Sequence, residues 1–170
     1  MREELFLAGD IGGTKTNLSV FSPARGIRAP LAAVSFKSAD YDDFMVMLRE
    51  FLTGAGLRVK AAAFGVAGPV VRGRARITKL PWIIDAARLR DEFSLDRVVV
   101  VNDLQATAYG ISSLTAAELT ILNPGREQAG APRAVIAPGT GLGESFMLWE
   151  NGAYRSYASE GGHSLFAPAS

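Results

Sequence analysis

The sequence predicts a mixed α/β fold, on three observations: successive strand-like runs at the start, two near-continuous apolar runs further on, and apolar residues at helical spacing between them. Leu5 to Asp10, Thr16 to Ser22 and Leu31 to Lys37 are separated by turn residues, the first two by Gly12-Gly13, which is the pattern of an antiparallel meander. Asp40 to Thr53 reads as a helix. Asp40 is its expected cap, Asp42 and Asp43 lie in its first turn, and Phe44, Met47, Leu48 and Phe51 share one face, with Gly54 and Gly56 ending it. Val59 to Val66 has the composition of a parallel strand buried on both faces, and the turn Ala67-Gly68-Pro69 follows.

Val70 to Lys79 alternates, with Arg72, Arg74 and Arg76 on one face of a strand or hairpin broken at Gly73. A solvated face is the preferred reading over an anion-binding stripe. Pro81-Trp82 leads into a helix capped near Asp85 that runs through Leu89 to Phe93. Val98 to Val101 is the next buried strand, ending at Asn102-Asp103, and Leu104 to Tyr109 is a helix expected to stop at Gly110. The order β-β-β-α-β-α-β-α is that of a ribonuclease-H-like lobe with a mixed sheet. It is expected over residues 1–112, with residues 113–170 forming the first part of a second α/β lobe.

Composition narrows the function. Of 170 residues, 48% are hydrophobic and 21% charged, enough apolar material for a good core. A net charge of +1 argues against nucleic acid or an anionic membrane as the main partner. Cysteine is absent, which excludes disulfides, zinc-thiolate sites and thiol nucleophiles within this sequence. The charged start and the short apolar run after it do not have the form of a signal peptide, so a cytoplasmic protein is expected.

Two glycine-rich turns carry the chemistry. Asp10-Ile11-Gly12-Gly13-Thr14 and Pro138-Gly139-Thr140-Gly141-Leu142-Gly143 each follow a strand-like run, where glycine lets backbone N–H groups approach an anion. Neither has P-loop or dinucleotide spacing, and the second reads as a hairpin because Ser145 to Trp149 continues as a strand. Asn102 and Asp103 stand at the carboxyl end of a parallel strand, where ligands bind in α/β sheets. There a carboxylate can accept the proton of an attacking hydroxyl, although either residue could simply cap the next helix. Glu160 and His163, the only histidine, flank Gly161-Gly162 and can face one small polyhydroxylated ligand, whereas they fall short of a metal-ligand set. Two phosphate-type turns around one candidate base point to phosphoryl transfer.

Together these segments resemble the bacterial glucokinase family, within the hexokinase and actin-like ATPase superfamily. The resemblance runs through Gly9 to Thr14, Gly65-Val66-Ala67-Gly68-Pro69, Thr78-Lys79-Leu80-Pro81-Trp82, Val101-Asn102-Asp103, Pro138 to Gly143, and Glu160 to His163 with Phe166-Ala167-Pro168. It implies an ATP-dependent hexose kinase acting on the 6-hydroxyl of D-glucose, with Asp103 as general base and Asn102, Asp103, Glu160 and His163 binding the sugar. Asp10 would hold Mg2+ through water, and Gly12, Gly13, Thr14, Gly139, Thr140 and Gly141 would bind the phosphates of ATP. A homodimer is implied as well.

Lys15 and Lys79 stand where this family usually has asparagine, Ser159 replaces a glycine, and Glu144-Ser145 replaces small apolar residues. Family members continue well past the position of Ser170, so an N-terminal fragment with weak or no activity alone is expected. A noncatalytic sugar-binding or regulatory module, and a kinase for another hexose, are the alternative functions. The donor is open among ATP, ADP and polyphosphate.

Overall fold

The computed structural model describes residues 3–77, 79–126, 128–138 and 142–164. The chain divides into two compact units, residues 1–103 and 104–170. The first unit is built on a five-stranded sheet of β1 (Phe6–Ile11), β2 (Lys15–Phe21), β3 (Ala32–Lys37), β4 (Ala61–Val66) and, later in the chain, β8 (Arg97–Asn102). Its strand order is β3-β2-β1-β4-β8. The first three strands form the expected antiparallel meander, and β4 and β8 continue it in parallel, as the mixed sheet requires.

One face of this sheet carries the core. Leu7, Ile11, Leu18, Val20, Phe64 and Val66 are buried against Phe44, Met47, Leu48 and Phe51 of helix α1 (Phe44–Ala55). The Phe44 ring meets Phe64 edge-on at 5.4 Å between centroids. Gly9 is needed beneath that ring, since a Cβ there would sit 2.6 Å from Phe64 Cδ1. On the other face of β4, Ala61 is half-buried, Ala63 exposed and Gly65 buried, so that face is only partly covered rather than buried along its length. Apolar composition signalled burial here, but alanine is small enough to occupy an open face.

Helix α1 starts later than the sequence suggested. Ser38–Asp40 forms a separate 3-10 turn that ends where Tyr41 turns extended, and Asp43 is the true cap, its side chain accepting from Met45 N at 3.0 Å. Gly54 lies inside the helix, and Gly56 alone terminates it, at φ 63° with its N–H donated to Leu52 O and Thr53 O.

Between β4 and β8 lies a small sheet of β5 (Val70–Val71), β6 (Arg74–Arg76) and β7 (Ile83–Asp85). Its first hairpin turns through Arg72 and Gly73, both at positive φ, the form a two-residue hairpin loop favours. Arg74 pairs with Asp85 at 2.9 Å, which agrees with a solvated face. Asp85 also caps α2 (Ala86–Glu92) through Ala87 N and Arg88 N, as expected. The buried Trp82 is tied down by its Nε1–H, which donates to Tyr41 O at 3.0 Å.

The second unit packs α3 (Asp103–Ile111) against an antiparallel sheet of β9 (Arg133–Pro138), β10 (Leu142–Glu150) and β11 (Ala153–Ser159), in the order β11-β10-β9. Ala108 is fully buried with Val135 and Met147, and Leu104, Ile111 and Tyr154 pack around them. That packing carries α3 through Gly110 to Ile111, past the expected stop. It also groups the helix with the strands that follow.

Candidate active site

In the first unit the carboxyl ends of the parallel strands lie level with one another. Ile11 pairs in register with Val66, and Val66 with Asn102. Asp10 is one residue earlier, and because Ile11 points into the core, the two-residue period of the strand turns the Asp10 carboxylate to the open face. Asn17, directly opposite on β2, donates Nδ2–H to Asp10 Oδ2 at 3.2 Å, and Ser35, opposite Asn17 on β3, donates Oγ–H to Asn17 Oδ1 at 2.8 Å. A relay across three strands thus orients the carboxylate.

The turn after β1 is braced from below. Gly12 N donates to Lys15 O at 3.0 Å, closing the hairpin, and a Cβ on Gly12 would lie 2.9 Å from that same oxygen. Ser38 then clamps both ends of the turn: its N–H donates to Thr14 O at 3.0 Å and its hydroxyl to Gly12 O at 2.7 Å. With the Ser38 proton committed to Gly12, the hydroxyl of Thr16, 3.0 Å from Ser38 Oγ, is the donor between those two. Ser38 and Thr16 are both fully buried.

Asn102 ends β8, and its Nδ2–H donates to Gly68 O at 3.1 Å, tying the strand end to the turn after β4, where Gly68 has φ 124°. Asp103 is half-buried and is the first residue of α3, at the end of the helix whose dipole favours a carboxylate. Asn102 holds the position before the helix.

In the second unit, β9 and β10 form the expected hairpin, with Pro138 opposite Leu142. Gly139, Thr140 and Gly141 lie outside the described residues, as do Thr78 and Phe166 to Pro168. Glu160 precedes a 3-10 turn, Gly161–His163, held by Gly161 N donating to Ser159 Oγ at 3.1 Å and Ser164 N donating to Gly161 O at 2.9 Å. Gly162 of this turn is required, since a Cβ there would overlap the Leu142 carbonyl, whereas one on Gly161 would meet only the movable end of the Glu144 side chain. The turn carrying Glu160 and His163 is therefore seated on the first residues of β10, directly after the glycine-rich hairpin.

Sequence reasoning singled out Asp10, Gly12, Gly13, Thr14 and Asn102, and they meet at one end of the first sheet, with Asp103 next in the chain. It missed Asn17, Ser35, Thr16 and Ser38, which orient them. The polar alternation Lys15, Asn17, Ser19 along β2 was the available signal for the first of these. Among the described residues no group of three or more His, Asp or Glu side chains could hold a metal. A single exposed carboxylate beside a phosphate-type turn fits Mg2+, which keeps several waters and shares its ligands with substrate phosphates.

The glucokinase family model matches residues 7–170. The chain belongs to the glucokinase family. It is 40% identical over 167 residues to a glucokinase of Trichormus variabilis, covering 96% of this chain and 49% of that one. It is 37% identical over 163 residues to a glucokinase of Pseudomonas paraeruginosa, covering 94% and 47%. Among solved structures, a glucokinase from an Antarctic psychrotroph superposes with a TM-score of 0.84 at 27% identity, covering 99% of this chain and 54% of that one. A glucokinase of the ROK family from Streptomyces griseus, in complex with glucose and AMPPNP, gives 0.60 at 24% identity over 89% and 46%, a likeness of fold alone. The fold of this glucokinase family member is thus the actin-like ATPase fold that the resemblance implied. The chain spans about half the length of the curated relatives it matches.

Proposed function

We propose that this chain carries the catalytic base and phosphate-binding turns of an ATP-dependent glucose kinase. The observation that carries the proposal is the level end of β1, β4 and β8, where the braced Gly12–Thr14 turn, the oriented Asp10 carboxylate and the Asn102-Asp103 pair occur together. The 6-hydroxyl oxygen of glucose attacks the γ-phosphorus of ATP in line. The O6–P bond forms as the bond to the β,γ-bridging oxygen breaks, ADP leaves, and the hydroxyl proton passes to the Asp103 carboxylate. General base catalysis of this kind contributes about 10²–10⁴ in rate. Asn102, Glu160 and His163 hydrogen-bond the sugar hydroxyls and fix which oxygen faces the phosphorus.

Because the amide of Gly12 is used within its hairpin, anion contacts from the first turn fall to Gly13 and Thr14, and those from the second to Gly139, Thr140 and Gly141. Asp10, held by Asn17, would retain Mg2+ through water, and the metal supplies charge neutralisation on the phosphates. A cytoplasmic setting fits a reaction that draws on the ATP pool.

The test measures glucose-dependent ADP release in a coupled assay, with glucose binding followed in parallel by calorimetry. The wild-type chain is expected to bind glucose and turn over weakly. Asp103→Asn is expected to lose at least about 10²-fold of that turnover while still binding the sugar. A wild-type chain that neither binds glucose nor turns over overturns the proposal.

A further inference from the structure

We propose that Lys15 and Lys37 form a paired-lysine element that grips the polyphosphate chain of the phosphoryl donor. It builds on the kinase function proposed above and assigns two residues to its donor site. Lys15 opens β2 directly after the Gly12–Thr14 turn, and Lys37 closes β3 directly before Ser38, which clamps that turn. The strand register sets the two lysines directly opposite each other. Both side chains are exposed.

Like charges directly opposite across an antiparallel pair destabilise a sheet, so this placement works against the fold unless an anion offsets it. The protein supplies little of that anion. Asp40 lies 3.7 Å from Lys37 Nζ, and among the described residues Lys15 makes no ion pair. By the two-residue period of the strands, Lys15 shares a face with Asn17, and Lys37 with Ser35. That face also carries Asp10, through the Asp10–Asn17 pair. One row of the open face therefore holds the carboxylate and its relay, and the next row, nearer the turn, holds two positive charges.

Lysine brings a point charge on a flexible stem rather than the planar fork of arginine, so two lysines suit a run of linked phosphates rather than one fixed carboxylate. A nucleoside triphosphate and inorganic polyphosphate share this chemistry.

The experiment is calorimetric titration of the full chain, at low ionic strength and with magnesium, by ATP in one arm and by inorganic tripolyphosphate in the other. Lys15→Met, Lys37→Met and the double variant are compared with wild type, and Arg58→Met serves as a charge-matched control on the segment before β4. The double variant is expected to bind about tenfold more weakly, the gap narrowing in concentrated salt as screening shortens the range of the charges. Arg58→Met is expected to bind as wild type does. Without ligand, Lys15→Met is expected to melt no lower than wild type, because it removes a like-charge contact.

Weakening in both arms identifies the shared phosphate chain as the element recognised. Weakening in the ATP arm alone, with no tripolyphosphate bound by wild type, identifies a nucleotide donor. A double variant within twofold of wild type in every arm that wild type binds overturns the lysine assignment and leaves the kinase function standing. A large fall in melting temperature in Lys15→Met makes the lysine structural and also overturns it. Wild type binding neither ligand removes the donor site itself, and this assignment with it.

Discussion

Ser38→Ala removes the one hydroxyl that holds both the Gly12–Thr14 turn and the start of β2. In the native protein that hydroxyl donates to Gly12 O at 2.7 Å and accepts from Thr16 Oγ1 at 3.0 Å, and both serine and threonine are fully buried. Alanine fills the same backbone position and keeps the N–H bond to Thr14 O, so the loss is confined to two polar groups left without a partner. An unsatisfied buried group costs about 1–3 kcal/mol, which puts the pair at roughly 2–6 kcal/mol. For a body of about one hundred residues, each kcal/mol moves Tm by about 4 °C or more, so a fall on the order of 10 °C is expected in the first unit.

The two tryptophans separate the units, since Trp82 is buried in the first and Trp149 is half-exposed in the second. In a Trp149→Phe background, Trp82 fluorescence during urea or thermal unfolding therefore reports the first unit. Thr16→Val provides the cycle partner: once Ser38 is alanine, removing the Thr16 hydroxyl should cost at least about 1 kcal/mol less than it does in wild type. A Ser38→Ala change below about 0.5 kcal/mol, or strict additivity with Thr16→Val, would falsify the clamp.

Gly9→Ala forces a methyl group to within 2.6 Å of Phe64 Cδ1 and 3.0 Å of Leu18 Cδ2, and denaturant unfolding should show about 1–3 kcal/mol of lost stability; an unchanged midpoint would mean that the Phe64 ring moves freely. Gly162→Ala drives the Glu160–His163 turn off the Leu142 carbonyl, and calorimetry is expected to show glucose affinity down at least about tenfold with Trp82-reported unfolding unmoved. The hydrogen bond and charge of Asp96 raise the Lys60 pKa above its ordinary value, with burial opposing them more weakly. A raised folded-state pKa stabilises below the unfolded lysine value and stops doing so as pH rises through the folded one. Asp96→Asn should therefore lower the urea midpoint near pH 8 and converge on wild type once pH has risen through the folded-state lysine value; a gap independent of pH argues against the ion pair as its source.

The meander and the parallel strands were legible because each strand carries its own pattern, apolar residues bounded by Gly, Pro or Asp. The cap of α1 was not, because three aspartates, Asp40, Asp42 and Asp43, are locally equivalent candidates, and only the packing of Phe44 against Phe64 selects the last. Asp10, the Gly12–Thr14 turn and the Asn102-Asp103 pair announce themselves as motifs. Their supports do not. Ser38 lies 26 residues from Gly12, and Asn17 and Ser35 meet only once the β2–β3 register is set, so no local spacing encodes either contact.

Register is also what makes the chemistry inseparable from the core. Leu7, Gly9 and Ile11 of β1 face inward, which leaves Phe6, Ala8 and Asp10 on the open face. A slip of one residue in pairing would reverse every side chain. Asp10 would then enter the apolar layer under Phe44, while Ile11 faced water and the Asp10–Asn17–Ser35 relay came apart. The hydrophobic free energy of Leu7, Ile11, Leu18 and Val20, at roughly 1.5–3 kcal/mol for each fully buried side chain, opposes that slip. The same apolar residues that hold the sheet together thus keep the Asp10 carboxylate on the open face, beside the turn that Ser38 braces.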